Sequence, residues 1–372
     1  MDKLRIQGGQ RLSGEISISG AKNTTLPLMA ASLLMEGPFC LHNTAKLGDV
    51  VTMLQLLKQM GVTVDDNFET SIVLDTTTLT DTFAPYEMVR AMRASILVLG
   101  PMLARFGSAQ VSLPGGCAIG ARPIDRHLKC LTAMGATIDI ENGYIRASVD
   151  GKLQGADVGF EDVTVTGTEN ILMAAVLAEG ETIIRNCAME PEVLDLAVCL
   201  NRQGAKIEGA GTETIRVQGV ERLHGGEHTV IGDRIEAVTY LIAAMMTQGS
   251  VKLLGIEPIH CQAAIDLLRT AGADITTGDN WIAVTMDARP LALNVTTAPF
   301  PGFPTDAQAQ LVAMNTIAQG RGLVTEAIFE NRFMHVPELQ RMGAKSELEG
   351  NNAGTQGSSQ LKGAQVMATD LR

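Results

Sequence analysis

The chain has 372 residues, a hydrophobic share of 45% and a formal net charge of −12. That length exceeds one comfortable hydrophobic core, so two domains are expected. The negative balance excludes a general nucleic-acid or membrane-surface binder, and an aromatic share of 3% leaves little for stacking on single strands.

In chain order, residues 1–5 lead into polar sequence with no signal-peptide apolar core, and no run approaches the ~18 apolar residues of a membrane span. A helix is expected to start near Lys22 and Asn23. Residues 50–62 carry amphipathic spacing closed by Gly61, followed by strands at 62–64 and 71–74. A second helix start falls near Arg93, and Gly107 precedes a strand that leads to a helix closed by Gly135. Further helix starts lie at 166–170 and at Asp233 and Arg234, with closing glycines at Gly204 and Gly272. Residues 281–285 alternate as a strand. Thr305 and Gln308 form a capping-box pattern ahead of residues 309–314, and Gly343 closes the next helix.

The closing glycines at 61, 135, 204, 272 and 343 are 68 to 74 residues apart, which indicates internal repeats. Gly37, Gly180, Gly249 and Gly320 each precede a closing glycine by 23 or 24 residues. In the second unit the gap is 28, and the extra residues fall in the loop at 114–123. Each unit reads helix, strand, helix, strand, strand, with another strand in front. The expected fold is therefore α/β, built from repeated βαβαββ-like units. A sixth helix would start at Thr369, so the sixth unit is expected to be incomplete, with apolar neighbours left uncovered.

Candidate chemistry concentrates in that enlarged loop and at the helix starts. Cys117 lies among glycines with Arg122 five positions on, an arrangement that can tune a thiol; a small buried hydrophobe is the alternative. Lys22 and Arg93 run against the helix dipole at first-turn positions, which an anionic partner explains better than stability does. Arg122, followed by Pro123 and Asp125, also fits phosphate capture. Asp306, by residue type and position alone, reads as a cap or dipole residue, and Asp370 carries the same ambiguity. The six cysteines (Cys40, Cys117, Cys130, Cys187, Cys199, Cys261) show no CxxC spacing, which suits reduced thiols in a cytoplasmic protein. Cys130 and Cys199 sit on apolar helical faces and read as core. No metal-ligand spacing appears.

The segments GAKN (20–23), PGGCAIGARP (114–123), FPTD (303–306), ENRFMHVPEL (330–339) and GAQVMATDLR (363–372) together resemble the UDP-N-acetylglucosamine 1-carboxyvinyltransferase family. The related 5-enolpyruvylshikimate-3-phosphate synthases fit less well because they lack the cysteine loop. The resemblance implies transfer of enolpyruvate from phosphoenolpyruvate to the 3′-hydroxyl of the sugar nucleotide, with no metal or organic cofactor. It makes Cys117 the general acid and the thiol that fosfomycin alkylates, and it turns Asp306 from a cap into the base. Lys22, Asn23, Arg122 and Arg372 would hold phosphoenolpyruvate, with Asp370 beside Arg372. Arg93, Arg122, Pro123, Ile124, Asp125, Arg126, Asp162, Val163, Thr164, Val165, Asp306 and Ile328 would contact UDP-N-acetylglucosamine. Residues 162–166 depart from the family, which often has a lysine and a following glycine there.

The implied fold is a two-domain inside-out α/β barrel: residues 22–230 form one domain, and 1–21 with 231–372 form the other. Family members continue past the DLR motif, so an impaired product that only binds UDP-N-acetylglucosamine is the competing expectation. A redox-sensing thiol protein built on Cys117 is a third reading, but it leaves the arginine pattern unexplained. Oligomeric state is left open.

Overall fold

The computed structural model describes residues 4–69, 71–79, 82–84, 92–113 and 124–366, with the side chain of Arg93 outside the described set. Cys117, Arg122, Pro123, Asp370 and Arg372, together with the sixth helix start at Thr369, lie outside these residues. The described chain divides into two compact units. One comprises the described residues from Gly20 to Ile231; the other combines the segment ending at Ser19 with residues from Gly232 onward.

Five four-stranded sheets with a common plan recur among the described residues. In each, a front strand pairs parallel to the strand after the first helix. That strand then pairs antiparallel to the last strand of a hairpin. The unit from Gly20 to Ile231 contains three of them. Met35–His42 pairs with Leu223–Thr229 and Ser71–Asp75. Ser108–Ser112 pairs with Phe83–Ala84 and Tyr144–Ser148. Glu181–Arg185 pairs with Asp157–Gly159 and Thr214–Gln218. In the other unit Ser250–Leu254 pairs with Ser13–Ser17 and Trp281–Thr285, and Arg321–Thr325 with Asn294–Thr296 and Asn352–Gln356. None of these sheets closes on itself.

The two helices of a repeat have different jobs, and their sequences show it. Lys22–Ala31 is buried from Thr24 to Ala31, and Val165–Ala175 from Gly167 to Ala175. Helices buried on nearly every side fill the middle of a unit, the second of them with Glu169 and Asn170 inside. Gly48–Gln59 instead buries Val50, Met53, Leu54, Leu56 and Leu57 while Lys58 and Gln59 face water, the amphipathic pattern of an outer helix. Cys130 and Cys199 are 3% and 0% exposed, as their apolar helical faces imply.

The closing glycines at 61, 135, 204, 272 and 343 all have φ between 91° and 106°, a left-handed turn that side chains disfavour. The earlier series holds at Gly37, Gly180 and Gly320 but shifts at the fourth unit. There Gln248 takes the left-handed conformation, and Gly249 is required for close approach: a Cβ would stand 2.2 Å from the Leu12 carbonyl oxygen.

Two local expectations change. The first strand after Gly61 runs Thr63–Asn67 rather than over 62–64. The helix expected at Arg93 begins as a 3-10 turn, Arg93–Val98, before the α-helix Leu99–Phe106. Asn170 supplies the reason. Its Oδ1 accepts from Gly100 N–H at 2.7 Å and its Nδ2 donates to the Ile96 carbonyl at 3.0 Å. These two groups would bond each other in a continuous α-helix, so the inserted amide interrupts the ladder at that step.

Candidate active site

In the unit from Gly20 to Ile231, Lys22 is the first residue of its helix, and no side chain caps that end. Its ammonium lies 3.0 Å from Asp49, with both side chains about two-fifths exposed. Asn23 beside it is exposed, whereas Thr24 is fully buried. A cation at an uncapped helix N-terminus is an arrangement suited to an anion, with Asp49 holding the lysine in place.

Two of the segments expected at the nucleotide come together. Ile124 precedes the helix Asp125–Ala133, and Thr164 caps the helix Val165–Ala175, its hydroxyl accepting from Gly167 N–H at 3.2 Å. Arg126 bridges them by pairing with the Asp162 carboxylate, and it also donates to the Asp162 carbonyl at 3.3 Å. Lys129 reaches Glu161 at 3.3 Å one turn further on. Asp162, in the segment expected to depart from the family, thus has a local partner in Arg126. Val163 between them is exposed.

Beneath these surface residues lies a polar layer that the sequence reading missed. His127 is 3% exposed, and its Nδ1 accepts from Asn170 Nδ2 at 3.1 Å. Burial pulls its pKa down to about 4, with Asp125 opposing weakly, so the ring is neutral at pH 7. Asn170 therefore ties the helix bearing Arg126 to the turn opened by Arg93. Its neighbour Glu169 is 1% exposed, and its carboxyl titrates well above the usual range through burial, reinforced by Glu192 and Glu190. Only burial distinguishes these residues from ordinary surface acids, and no sequence period announces it.

In the other unit Thr305–Ala307 is a 3-10 turn leading into the helix Gln308–Ile317. The expected capping box does not form. Thr305 donates its hydroxyl to Glu326 at 2.7 Å, and Gln308 Nε2 donates to the Arg332 carbonyl at 3.1 Å. Tertiary partners have taken both groups that the box would have used. Asp306 pairs with Arg332, which also donates to Thr305 Oγ1 at 3.1 Å. Ile328 N–H donates to Glu326 Oε1 at 2.9 Å, so the carboxylate that receives the Thr305 hydroxyl also holds the backbone at Ile328. His335 follows on the same segment; burial and then Arg332 lower its pKa to about 4. A cavity of about 350 Å³ lined by Arg234, Cys261, Phe300 and Pro304 lies in this unit. Among the described residues no cluster of three or more His, Cys, Asp or Glu is arranged to hold a metal ion. None of the described helices is long and apolar enough to cross a membrane.

Comparison with known proteins gives this geometry a family. The model for EPSP synthase (3-phosphoshikimate 1-carboxyvinyltransferase) matches residues 6–372. Curated UDP-N-acetylglucosamine 1-carboxyvinyltransferases from Acinetobacter baylyi and Idiomarina loihiensis are each 56% identical over the whole chain, which spans 89% of their length. Among solved structures, the enolpyruvyl transferase NikO from Streptomyces tendae aligns with a TM-score of 0.83 at 22% identity, covering 95% of this chain and 83% of that one. EPSP synthase from Acinetobacter baumannii aligns at 0.71 and 18%, covering 95% and 84%. These two structural matches establish the fold. The sequence matches establish the rest: the chain belongs to the EPSP synthase family of carboxyvinyltransferases, on the branch of the UDP-N-acetylglucosamine enzymes.

Proposed function

We infer that this chain transfers the enolpyruvyl group of phosphoenolpyruvate to the 3′-hydroxyl of UDP-N-acetylglucosamine with release of phosphate. This is the first committed step of peptidoglycan precursor synthesis. The observation that carries the reading is the 56% identity, over the whole chain, to relatives named for that activity. The cysteine-bearing loop at 114–123 separates it from the shikimate branch.

On this reading Cys117 delivers its proton to the methylene carbon of phosphoenolpyruvate as the sugar oxygen bonds to the adjacent carbon. Asp306 receives the hydroxyl proton. The tetrahedral adduct then loses a proton from the new methyl group and expels phosphate, which restores the double bond. Lys22, Asn23, Arg122 and Arg372 bind phosphoenolpyruvate; Arg93, the segments 122–126 and 162–165, Asp306 and Ile328 receive the sugar nucleotide. The uncapped helix start at Lys22 and the bridge from Arg126 to Asp162 support these assignments. Two polyanionic substrates need such cations and free N–H groups for neutralisation. The finer fold belongs to the same proposal: an inside-out α/β barrel of βαβαββ units, residues 22–230 forming one domain and 1–21 with 231–372 the other. The repeated sheet plan supports it. A cytoplasmic location follows from where these substrates are made.

The test is phosphate release by the purified protein with each substrate alone and with both. Release that requires phosphoenolpyruvate and UDP-N-acetylglucosamine together is expected. Turnover with shikimate 3-phosphate in place of the sugar nucleotide would overturn the assignment.

A further inference from the structure

Glu326 follows the strand Arg321–Thr325 and is 2% exposed. Five described donors converge on its carboxylate, all of them neutral. Oε1 accepts from Thr297 Oγ1 at 2.9 Å and from the N–H groups of Ile328 and Phe329 at 2.9 and 3.2 Å. Oε2 accepts from Thr305 Oγ1 at 2.7 Å and Gln308 Nε2 at 3.5 Å. Its own main chain is pinned as well. Its N–H donates to the Asn351 carbonyl at 2.8 Å, and its carbonyl accepts from Asn351 Nδ2 at 3.0 Å. A carboxylate so far from water is retained against a heavy desolvation cost, and apolar packing would hold these loops more cheaply.

What the carboxylate does that packing could not is orient a hydroxyl. Thr305 Oγ1 has one proton, which goes to Glu326, leaving its lone pairs to accept from Arg332 Nη1 at 3.1 Å. The other Arg332 terminal nitrogen pairs with Asp306. A directed chain therefore runs from Glu326 through Thr305 and Arg332 to Asp306, and its links reinforce one another. Gln308 closes the loop by holding the Arg332 carbonyl.

We propose that Glu326 is a positioning residue for the transfer reaction: through Thr305 and Arg332 it sets the direction in which the Asp306 carboxylate faces the sugar hydroxyl. It also fixes the backbone at Ile328. This rests on the reading of Asp306 as the base. A hydroxyl turned the other way would present a proton to Arg332, and the guanidinium would swing off Asp306.

The test measures kcat and both KM values for E326Q, T305V, T305S and D306N. T305V leaves the buried carboxylate in place and removes the one hydroxyl that transmits its direction; T305S keeps that hydroxyl. Expected are kcat losses of roughly tenfold or more in T305V and E326Q, with KM for phosphoenolpyruvate within about twofold and T305S close to wild type. A purely structural role would lower T305V and T305S alike. Wild-type kcat in T305V overturns the inference whatever D306N does. Normal turnover in D306N beside an impaired T305V overturns instead the reading of Asp306 as base, and with it the stated end of the chain.

Discussion

Substituting His127 with asparagine should flatten the acid sensitivity of this protein. The ring is 3% exposed and its pKa lies near 4, against about 6.5 in an unfolded chain. The folded value is the lower one, so the unfolded state binds the proton more readily. Stability is complete above pH 6.5, falls as pH drops through the window from 6.5 to 4, and levels off below it. At pH 4.5 the loss from this one group is about 2.5 kcal/mol. Asparagine places an acceptor oxygen near the position of Nδ1, so Asn170 keeps a partner while the titration disappears. The assay is urea unfolding of wild type and H127N at pH 7.5 and 4.5. H127N is expected to be the weaker protein at pH 7.5, through lost packing, yet to lose about 2.5 kcal/mol less than wild type on acidification. Equal losses in the two proteins would refute the reasoning, because every other titrating group is common to both.

Three further outcomes can be checked. Removing Arg126 (R126A) should raise KM for UDP-N-acetylglucosamine about tenfold and leave KM for phosphoenolpyruvate within about twofold, measured by steady-state kinetics. N170L strands the Gly100 N–H, the Ile96 carbonyl and His127 Nδ1 in a dry interior; about 2–4 kcal/mol should be lost in the same unfolding assay. Cys117→Asp should retain measurable phosphate release while mass spectrometry finds no fosfomycin adduct, since a carboxylic acid can donate a proton but cannot replace the thiol as nucleophile.

The repeat was legible because its punctuation is steric. A left-handed φ near 98° at Gly61 or Gly272 excludes most side chains, so the backbone requirement appears directly as a residue type. The exception at Gln248 and Gly249 shows the limit: one glycine was kept for contact with the Leu12 carbonyl, and the turn moved to its neighbour. The strands at 71–74 and 281–285 followed from alternation alone and appear as Ser71–Asp75 and Trp281–Thr285. Helix starts were legible from local pattern, at Lys22 and within a residue of Thr166, whereas partners that come from far along the chain were not. Arg332 lies 26 residues from Asp306 and Asn170 lies 74 from Ile96, distances over which no local pattern survives. The capping box at Thr305 failed for the same reason. Local propensity proposed a use for its hydroxyl, and a buried carboxylate 21 residues away outbid it.

The crossed front strands have a consequence for synthesis. Ser13–Ser17 leaves the ribosome well before its parallel partner, Ser250–Leu254. At about 5–20 residues per second, the roughly 230 intervening residues take about 12–46 s to make. Throughout that interval an early strand waits with its edge unpaired, while the unit from Gly20 to Ile231 can gather its own front strand, Leu223–Thr229, and close its sheets. That leading segment carries Leu4, Ile6 and Leu12 as its exposed large apolar side chains, interspersed with Arg5, Gln7, Gln10 and Arg11. A strand that must wait alone for its sheet has reason to be short and polar, and this one, SGEIS, is both.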